Sequence, residues 1–390
     1  MLSIAVSIML TANAASSWVQ QGPAVSGIFG GVAALSSTTA IITGGINGEE
    51  GEGAFLLDTQ THTLNQTLVG QGGGMSMILA VAMSVDTPNH GVAVGPALLG
   101  SAVAYVTTDA GKTWSPSKDV ARGFAGAVAG SDIHGVPDGT GSETFAYVTE
   151  YNSYTNGSKC SHDVSPQCSG VFLSKDGGST FDHIDWQGTD GPDTDAKFGA
   201  FPSNSTWYIS GGLVQPGSEA GPHYKATVTK TVDGGRTFST VFNVTASAAN
   251  PGEGVGGMGP IACADEATCF ATSNCGDPQC GPNLNKTRGH GTYFHYTSDG
   301  GSTWKELFFD YEKSATAIRV LSKTEVWIGG GSSGEFGKAS AWHTTDAGKS
   351  WARTDFGSGT VMGMDFLSDG SVGYATTCSV ATCAVWSMSS

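Results

Sequence analysis

The residues best equipped to hold or transform a ligand fall in a few Gly-, Ser- and Pro-rich stretches. One is acidic and carries Glu49, Glu50 and Glu52. A second carries Tyr151, Tyr154, His162 and Asp163, a third His223 and Tyr224, a fourth Arg288 and His290, and a fifth Glu335. Flat aromatic rings stack on sugar faces or side chains, while carboxylates, imidazoles and guanidinium groups fix hydroxyls and amides. The expected ligand-binding set is therefore Glu49, Glu50, Tyr151, Tyr154, His223, Tyr224, Arg288, His290 and Glu335. The same residue types also make ordinary solvated loop surface. The acidic stretch has the hard oxygen ligands that Ca²⁺ takes, but a solvated acidic loop is the favoured reading, so no metal or cofactor is assigned.

Catalysis makes stricter demands. Acid–base hydrolysis of a glycoside needs two carboxylates at a controlled separation. Asp195 and Asp365, beside apolar segments, are the nearest candidates. No Ser-His-Asp spacing, phosphate loop or His-Glu-x-x-His stretch occurs in the chain. The cysteines fall in close pairs, Cys160/Cys168, Cys263/Cys269, Cys275/Cys280 and Cys378/Cys383. Local disulfides are the economical expectation. A zinc site would want matched C-x₂-C pairs, which are missing.

These stretches are spaced by a repeat. Thr107-Thr-Asp109-Ala-Gly111-Lys-Thr113-Trp114 recurs as Ser174 to Phe181, Thr231 to Phe238, Thr297 to Trp304 and Thr344 to Trp351. The shared pattern is Ser/Thr-x-Asp-x-Gly-x-Thr/Ser-Trp/Phe. Its physics is that of a hairpin turn: the Asp accepts from backbone amides that follow it, the Gly supplies positive φ, and the aromatic anchors the turn between sheets. Apolar runs such as Val171-Phe-Leu173 and Tyr293-Phe-His-Tyr296 precede the turns.

The pattern resembles the Asp box, or BNR repeat, of sialidases, sortilin-type receptors, xyloglucanases and photosystem II assembly-factor propellers. The resemblance implies an all-β fold, a β-propeller with Asp-box turns between the third and fourth strands of each blade. The boxes recur every 47 to 67 residues, which suits four strands per blade. Counting them, with a decayed box at Asp58 to His62, predicts seven blades, or six if the first is irregular. The last blade offers three strands, and Ser17-Trp-Val-Gln20 is expected to close it. The innermost strands are read as Gly27 to Val32, Ile78 to Ala82, Phe124 to Val128, Phe198 to Phe201 and Val361 to Met364.

On this scheme the long insertions fall mainly between second and third strands, on the face opposite the boxes. Cys160/Cys168, Cys275/Cys280 and Cys378/Cys383 belong to that loop face, and Cys263/Cys269 to the other. A sialidase would need three arginines for its substrate's carboxylate. The chain has only Arg122, Arg236, Arg288, Arg319 and Arg353. Arg236 lies within a box, and the Phe-Arg-Ile-Pro stretch of sialidases is missing.

Residues 1–14 are mostly apolar and end in Ala12-Asn-Ala14, which reads as a secretory signal peptide. Residues 15–390 then form one domain. Sequons at Asn65, Asn156, Asn204, Asn243 and Asn285 agree with a eukaryotic secretory route. A net charge of -16 with only 18 Lys and Arg argues against nucleic acid, and no later segment is apolar for long enough to span a bilayer. The expectation is a secreted propeller without catalysis that binds a glycan or an extracellular protein on its loop face. A glycoside hydrolase and a self-associating structural glycoprotein are the alternatives.

Overall fold

The repeated turn carries one hydrogen-bond set in every copy. Thr107 donates its hydroxyl to Asp109 Oδ1 at 2.9 Å and accepts the Gly111 amide at 2.8 Å. Asp109 Oδ1 also accepts the Thr113 amide at 2.8 Å, and Oδ2 accepts the Thr113 hydroxyl at 2.6 Å. The turns of Asp176, Asp233, Asp299 and Asp346 repeat these bonds at 2.6–3.0 Å. Hydrogen bonds to the charged form favour it. The hydroxyls of Thr237, Thr303 and Ser350 accordingly bring Asp233, Asp299 and Asp346 down to about 2.

Two consecutive residues in each turn are left-handed. Gly111 has φ +79° and Gly348 +84°, preceded by Ala110 at +59° and Ala347 at +60°. The second position is glycine for a further reason. A Cβ on Gly111 would lie 2.6 Å from Ile41, and one on Gly348 2.5 Å from Phe294, both in the preceding sheet. The box aromatics dock the same way. Trp114 donates its indole N–H to Thr67 at 3.2 Å, and Trp351 meets Phe294 edge-on at 5.1 Å. Each turn is thus a wedge between its own sheet and the one before.

The computed structural model describes residues 17–47, 53–69, 78–96, 102–120, 132–137, 143–149, 170–185, 194–214, 224–245, 258–275, 291–310, 314–331, 337–380 and 382–389. The described elements are strands and turns. After β1 (Ser17–Gln20) comes a sheet of β2 (Gly27–Ala34), β3 (Thr39–Ile46), β4 (Gly53–Asp58) and β5 (Thr63–Val69). The next holds β6 (Ala80–Met83), β7 (Gly91–Pro96), β8 (Ala102–Thr107) and β9 (Ser115–Pro116). Then β10 (Asp119–Val120) pairs in parallel on the outer edge of a sheet formed by β11 (Asp132–Val136), β12 (Thr144–Thr149), β13 (Gly170–Ser174) and β14 (Thr180–Asp185). Two regular sheets follow. One is β15 (Thr194–Ala200), β16 (Trp207–Val214), β17 (Tyr224–Thr231) and β18 (Ser239–Thr245); the other is β19 (Met258–Cys263), β20 (Cys269–Cys275), β21 (Gly291–Thr297) and β22 (Lys305–Asp310). The last strands are β23 (Ser314–Val320), β24 (Val326–Gly331), β25 (Lys338–Thr344), β26 (Ala352–Ser358), β27 (Thr360–Phe366), β28 (Val372–Cys378) and β29 (Cys383–Ser389).

The N-terminal strand does close the last sheet: β1 pairs antiparallel with β29, Ser17 opposite Ser389 and Gln20 opposite Trp386. Trp18 locks it by meeting Trp327, Phe356 and Phe366 edge-on, with centroids 5.4–6.1 Å away. The first strands of successive sheets pack on one another, β2 on β6, then β11, β15, β19, β23 and β27, which returns to β2. They approach backbone to backbone, and a Cβ on Gly30 would sit 2.3 Å from the Leu79 carbonyl oxygen. This explains their small residues. One strand expected from sequence is corrected: the first strand of the third sheet is Asp132–Val136, whereas Phe124 to Val128 lies outside the described residues.

The wedge geometry gives a pair of opposed expectations. Gly111→Ala and Gly348→Ala place a methyl group against a packed neighbour at positive φ and lower stability by about 2–4 kcal/mol. Ala110→Gly and Ala347→Gly relieve a left-handed alanine and raise stability by roughly 0.5–1 kcal/mol. Thermal and denaturant unfolding of the four variants measure both signs.

Candidate functional site

Backbone hydrogen bonds fix which turns share a rim. The amide of the residue after each box Asp donates to the turn joining first and second strands of the same sheet: Ala110 to Asn89, Gly177 to Glu143, Gly234 to Ser205, Gly300 to Ala267 and Ala347 to Thr324, all at 2.8–2.9 Å. Box turns and first-to-second turns therefore lie together. Antiparallel pairing sends the second-to-third connections to the opposite rim, between Ile46 and Gly53, Thr149 and Gly170, Val214 and Tyr224, Cys275 and Gly291, Gly331 and Lys338, and Cys378 and Cys383.

The described end of that rim is stapled. Cys378 and Cys383 form a disulfide across β28 and β29. Cys383 exchanges backbone hydrogen bonds with Val25 at 2.7 and 2.8 Å, and the Phe29 amide donates to Cys378 Sγ at 3.2 Å. One staple therefore ties the closing hairpin to the entrance of the first sheet. The second described disulfide, Cys263–Cys269, closes the β19–β20 turn on the box rim. Both pairings are local, as the spacing suggested. The bonding of Cys160, Cys168, Cys275 and Cys280 lies outside the described residues.

Most of the expected ligand residues lie outside the described residues as well: Glu49, Glu50, Glu52, Tyr151, Tyr154, His162, Asp163, His223, Arg288, His290 and Glu335, with Arg122. Tyr224 opens β17, its backbone opposite Val214 at the connection rim.

The carboxylates proposed for catalysis are placed by register. Asp365 lies one residue from the end of β27 at the box rim, opposite Tyr374. Asp195 is the second residue of β15 and pairs with Gly212 near the connection rim. Relative to the turns their strands enter, they differ by four residues, about 13 Å along the strand. A glycosidase pair stands about 5–10 Å apart. Asp365 is also engaged: Arg319 Nε donates to Oδ1 at 3.0 Å, and the Ala34 amide donates to Oδ2 at 2.8 Å. Since Arg319 lies on β23 and Ala34 on β2, one carboxylate joins three neighbouring first strands where the ring closes.

A Ser–His pair that spacing did not reveal lies between the fourth and fifth sheets. Ser273 Oγ and His295 Nε2 share a hydrogen bond of 2.8 Å, with Glu306 Oε2 3.9 Å from His295 Nδ1. The arrangement has the members of a nucleophilic triad, but Ser273 and His295 are both 0% exposed, and Phe242 covers the imidazole at 4.8 Å. A nucleophile must meet its substrate, so the pair is a polar core contact. The repeat gives only a weak signal for it: four residues before the box Asp stand Tyr105, Phe172, Thr229 and Trp342, and His295 takes that place in the fifth sheet.

The family profile for the BNR/Asp-box repeat matches residues 105–116. No curated protein matches the chain. Among solved structures, the hydrazine synthase of Kuenenia stuttgartiensis is similar with a TM-score of 0.57 at 13% identity, over 88% of this chain and 91% of that one. The WD40 repeats of RRP9 give a TM-score of 0.55 at 11% identity, over 95% and 97%. An α-L-arabinofuranosidase from Fusarium graminearum, in complex with an iminosugar inhibitor, gives 0.50 at 13% identity, over 80% and 93%. At these identities the likeness is one of fold: the chain is an all-β propeller carrying Asp-box repeats.

The buried imidazole and the box carboxylates set the response to acid. Burial brings His295 down to about 3, so the folded state resists a proton that the unfolded chain accepts near pH 6.5. Stability is full above that pH and declines as pH falls toward 3. The boxes add a second loss between about pH 4 and 2, because their carboxylates are depressed in the fold. His295→Gln keeps an amide for Ser273 and reduces the first phase, to which His90, also lowered by burial, contributes as well. Between pH 7 and about pH 4 the variant should lose less stability than the parent chain; equal profiles in urea titrations across pH contradict this assignment.

Proposed function

We propose that the chain is a secreted, seven-bladed Asp-box propeller that holds a glycan on its connection rim and does no covalent chemistry on it. The reading of seven blades is supported by the circuit of first strands from β2 through β27 back to β2 and by β1 completing the last sheet. Secretion is supported by two described disulfides, which persist in oxidising compartments. No described helix is long and apolar enough to cross a membrane.

The observation that carries the functional reading is the division of labour between the rims. The box rim is committed to packing: its carboxylates are satisfied within their own turns, and Asp365 is bound by Arg319 and Ala34. The second-to-third connections, whose sequences carry Tyr151, Tyr154, His223, Arg288, His290 and Glu335, start and end at strand ends on the other rim, where Tyr224 opens β17. Long connections gathered on one face of a repeat array are where such folds place recognition. The similarity of the BNR repeat to carbohydrate-active propellers favours a sugar ligand.

The test is a glycan array with the secreted chain, run beside a panel of fluorogenic glycosides. Retention on a defined subset of glycans is expected, weakened about tenfold or more by Tyr151→Ala and by Tyr224→Ala, since loss of a stacking ring removes roughly 1–3 kcal/mol. The glycoside panel should stay blank. Turnover abolished by Asp195→Ala or Asp365→Ala would replace this reading with a hydrolase. Retention unaffected by both tyrosine variants would move the binding site elsewhere.

A further inference from the structure

We infer that Asn65 and Asn204 carry N-linked glycans, attached before their sheets close, and that these glycans shield the outer edge and the box rim. The inference rests on the secretory reading above. Both are acceptor sequons, Asn65-Gln-Thr67 and Asn204-Ser-Thr206, and both asparagines are exposed. Asn65 lies on β5, the outermost strand of its sheet. Asn204 lies in the turn between β15 and β16, beside the box of the same sheet, where the Gly234 amide donates to Ser205 O at 2.9 Å. Neither is in a connection on the opposite rim. A bulky polar chain at Asn65 would cover the outer strand of its sheet, a position that invites pairing with other chains. One at Asn204 would keep partners off the box rim and leave the connection rim open.

The sequon hydroxyls supply the timing. In the fold, Thr67 Oγ1 accepts the indole N–H of Trp114 from the next sheet at 3.2 Å, and Thr206 is buried, 4% exposed. A transferase must reach both the asparagine amide and this hydroxyl residue, so it must act on the nascent chain. The donor is an oligosaccharide linked to a lipid diphosphate. The Asn Nδ2 forms a C–N bond to the anomeric carbon and loses a proton. The anomeric C–O bond breaks, and the lipid diphosphate leaves with the electron pair.

The experiment expresses the full chain in eukaryotic cells and maps glycopeptides before and after amidase release of the glycans, which converts each modified Asn to Asp. Glycan is expected at Asn65 and Asn204, with Asn65→Gln and Asn204→Gln each removing one glycan's mass from the secreted protein. Glycans at other sequons with Asn65 and Asn204 bare, or a secreted chain with none, would overturn the inference and leave the secretory reading standing. A chain retained in the cytosol without glycan would overturn both. Unglycosylated chain, folded first and then given to microsomal transferase with lipid-linked donor, should stay unmodified at both sites; modification there would overturn the proposed order.

Discussion

Everything in this molecule depends on a carboxylate held by its own turn. The box aspartate accepts hydroxyls and amides from residues two before it to four after it, and this fixes two successive left-handed residues. With the turn rigid, its glycine can press against the preceding sheet where no side chain would fit. Local electrostatics becomes long-range packing, and the same wedge recurs from sheet to sheet. The charge is kept because the hydrogen bonds prefer it, which ties the integrity of the ring to ionised carboxylates.

The centre of the ring is built on different terms. First strands meet backbone to backbone, and hydroxyls satisfy carbonyls beside the irregular pairings: Thr376 donates to Gly30 O at 2.7 Å, and Ser210 to Gly259 O at 2.9 Å. Small residues are required there by distance. Asp365, near the middle, takes Arg319 from β23 on one side and the Ala34 amide from β2 on the other, and this second bond spans the point where the last strands meet the first sheet. It serves closure, together with β1 and the Cys378–Cys383 staple, which all act on the same seam.

Much of this was legible in the chain. The box pattern specified its turns because every bond in them is local, and the pairing of Cys263 with Cys269 and of Cys378 with Cys383 followed from short loops. Closure by Ser17–Gln20 was legible from a missing strand. The first strand of the third sheet was not, because it carries polar residues whose packing no local pattern announces: His134 lies against Phe201 at 5.4 Å. Asp132-Ile-His-Gly-Val136 therefore reads less like a strand than the apolar Phe124 to Val128. The Arg319–Asp365 contact was hidden for another reason: its partners lie 46 residues apart on β23 and β27, and no local pattern couples them. His295 stood in the repeat at a position that also holds Tyr105, Phe172, Thr229 and Trp342, and only burial shows that it packs with Ser273. The ligand residues were chosen by chemistry and by which connection holds them. The fold supports the second criterion through the rim on which those connections start and end.

The account turns on one face binding and the other packing. Hydrogen exchange of the full chain, with and without a glycan retained on an array, compares the two rims directly. The account predicts slowed exchange in the segments between Thr149 and Gly170, Val214 and Tyr224, and Cys275 and Gly291, with the box turns of Asp109, Asp176, Asp233, Asp299 and Asp346 unchanged. Protection concentrated at the box turns, or around Arg319 and Asp365, would contradict it.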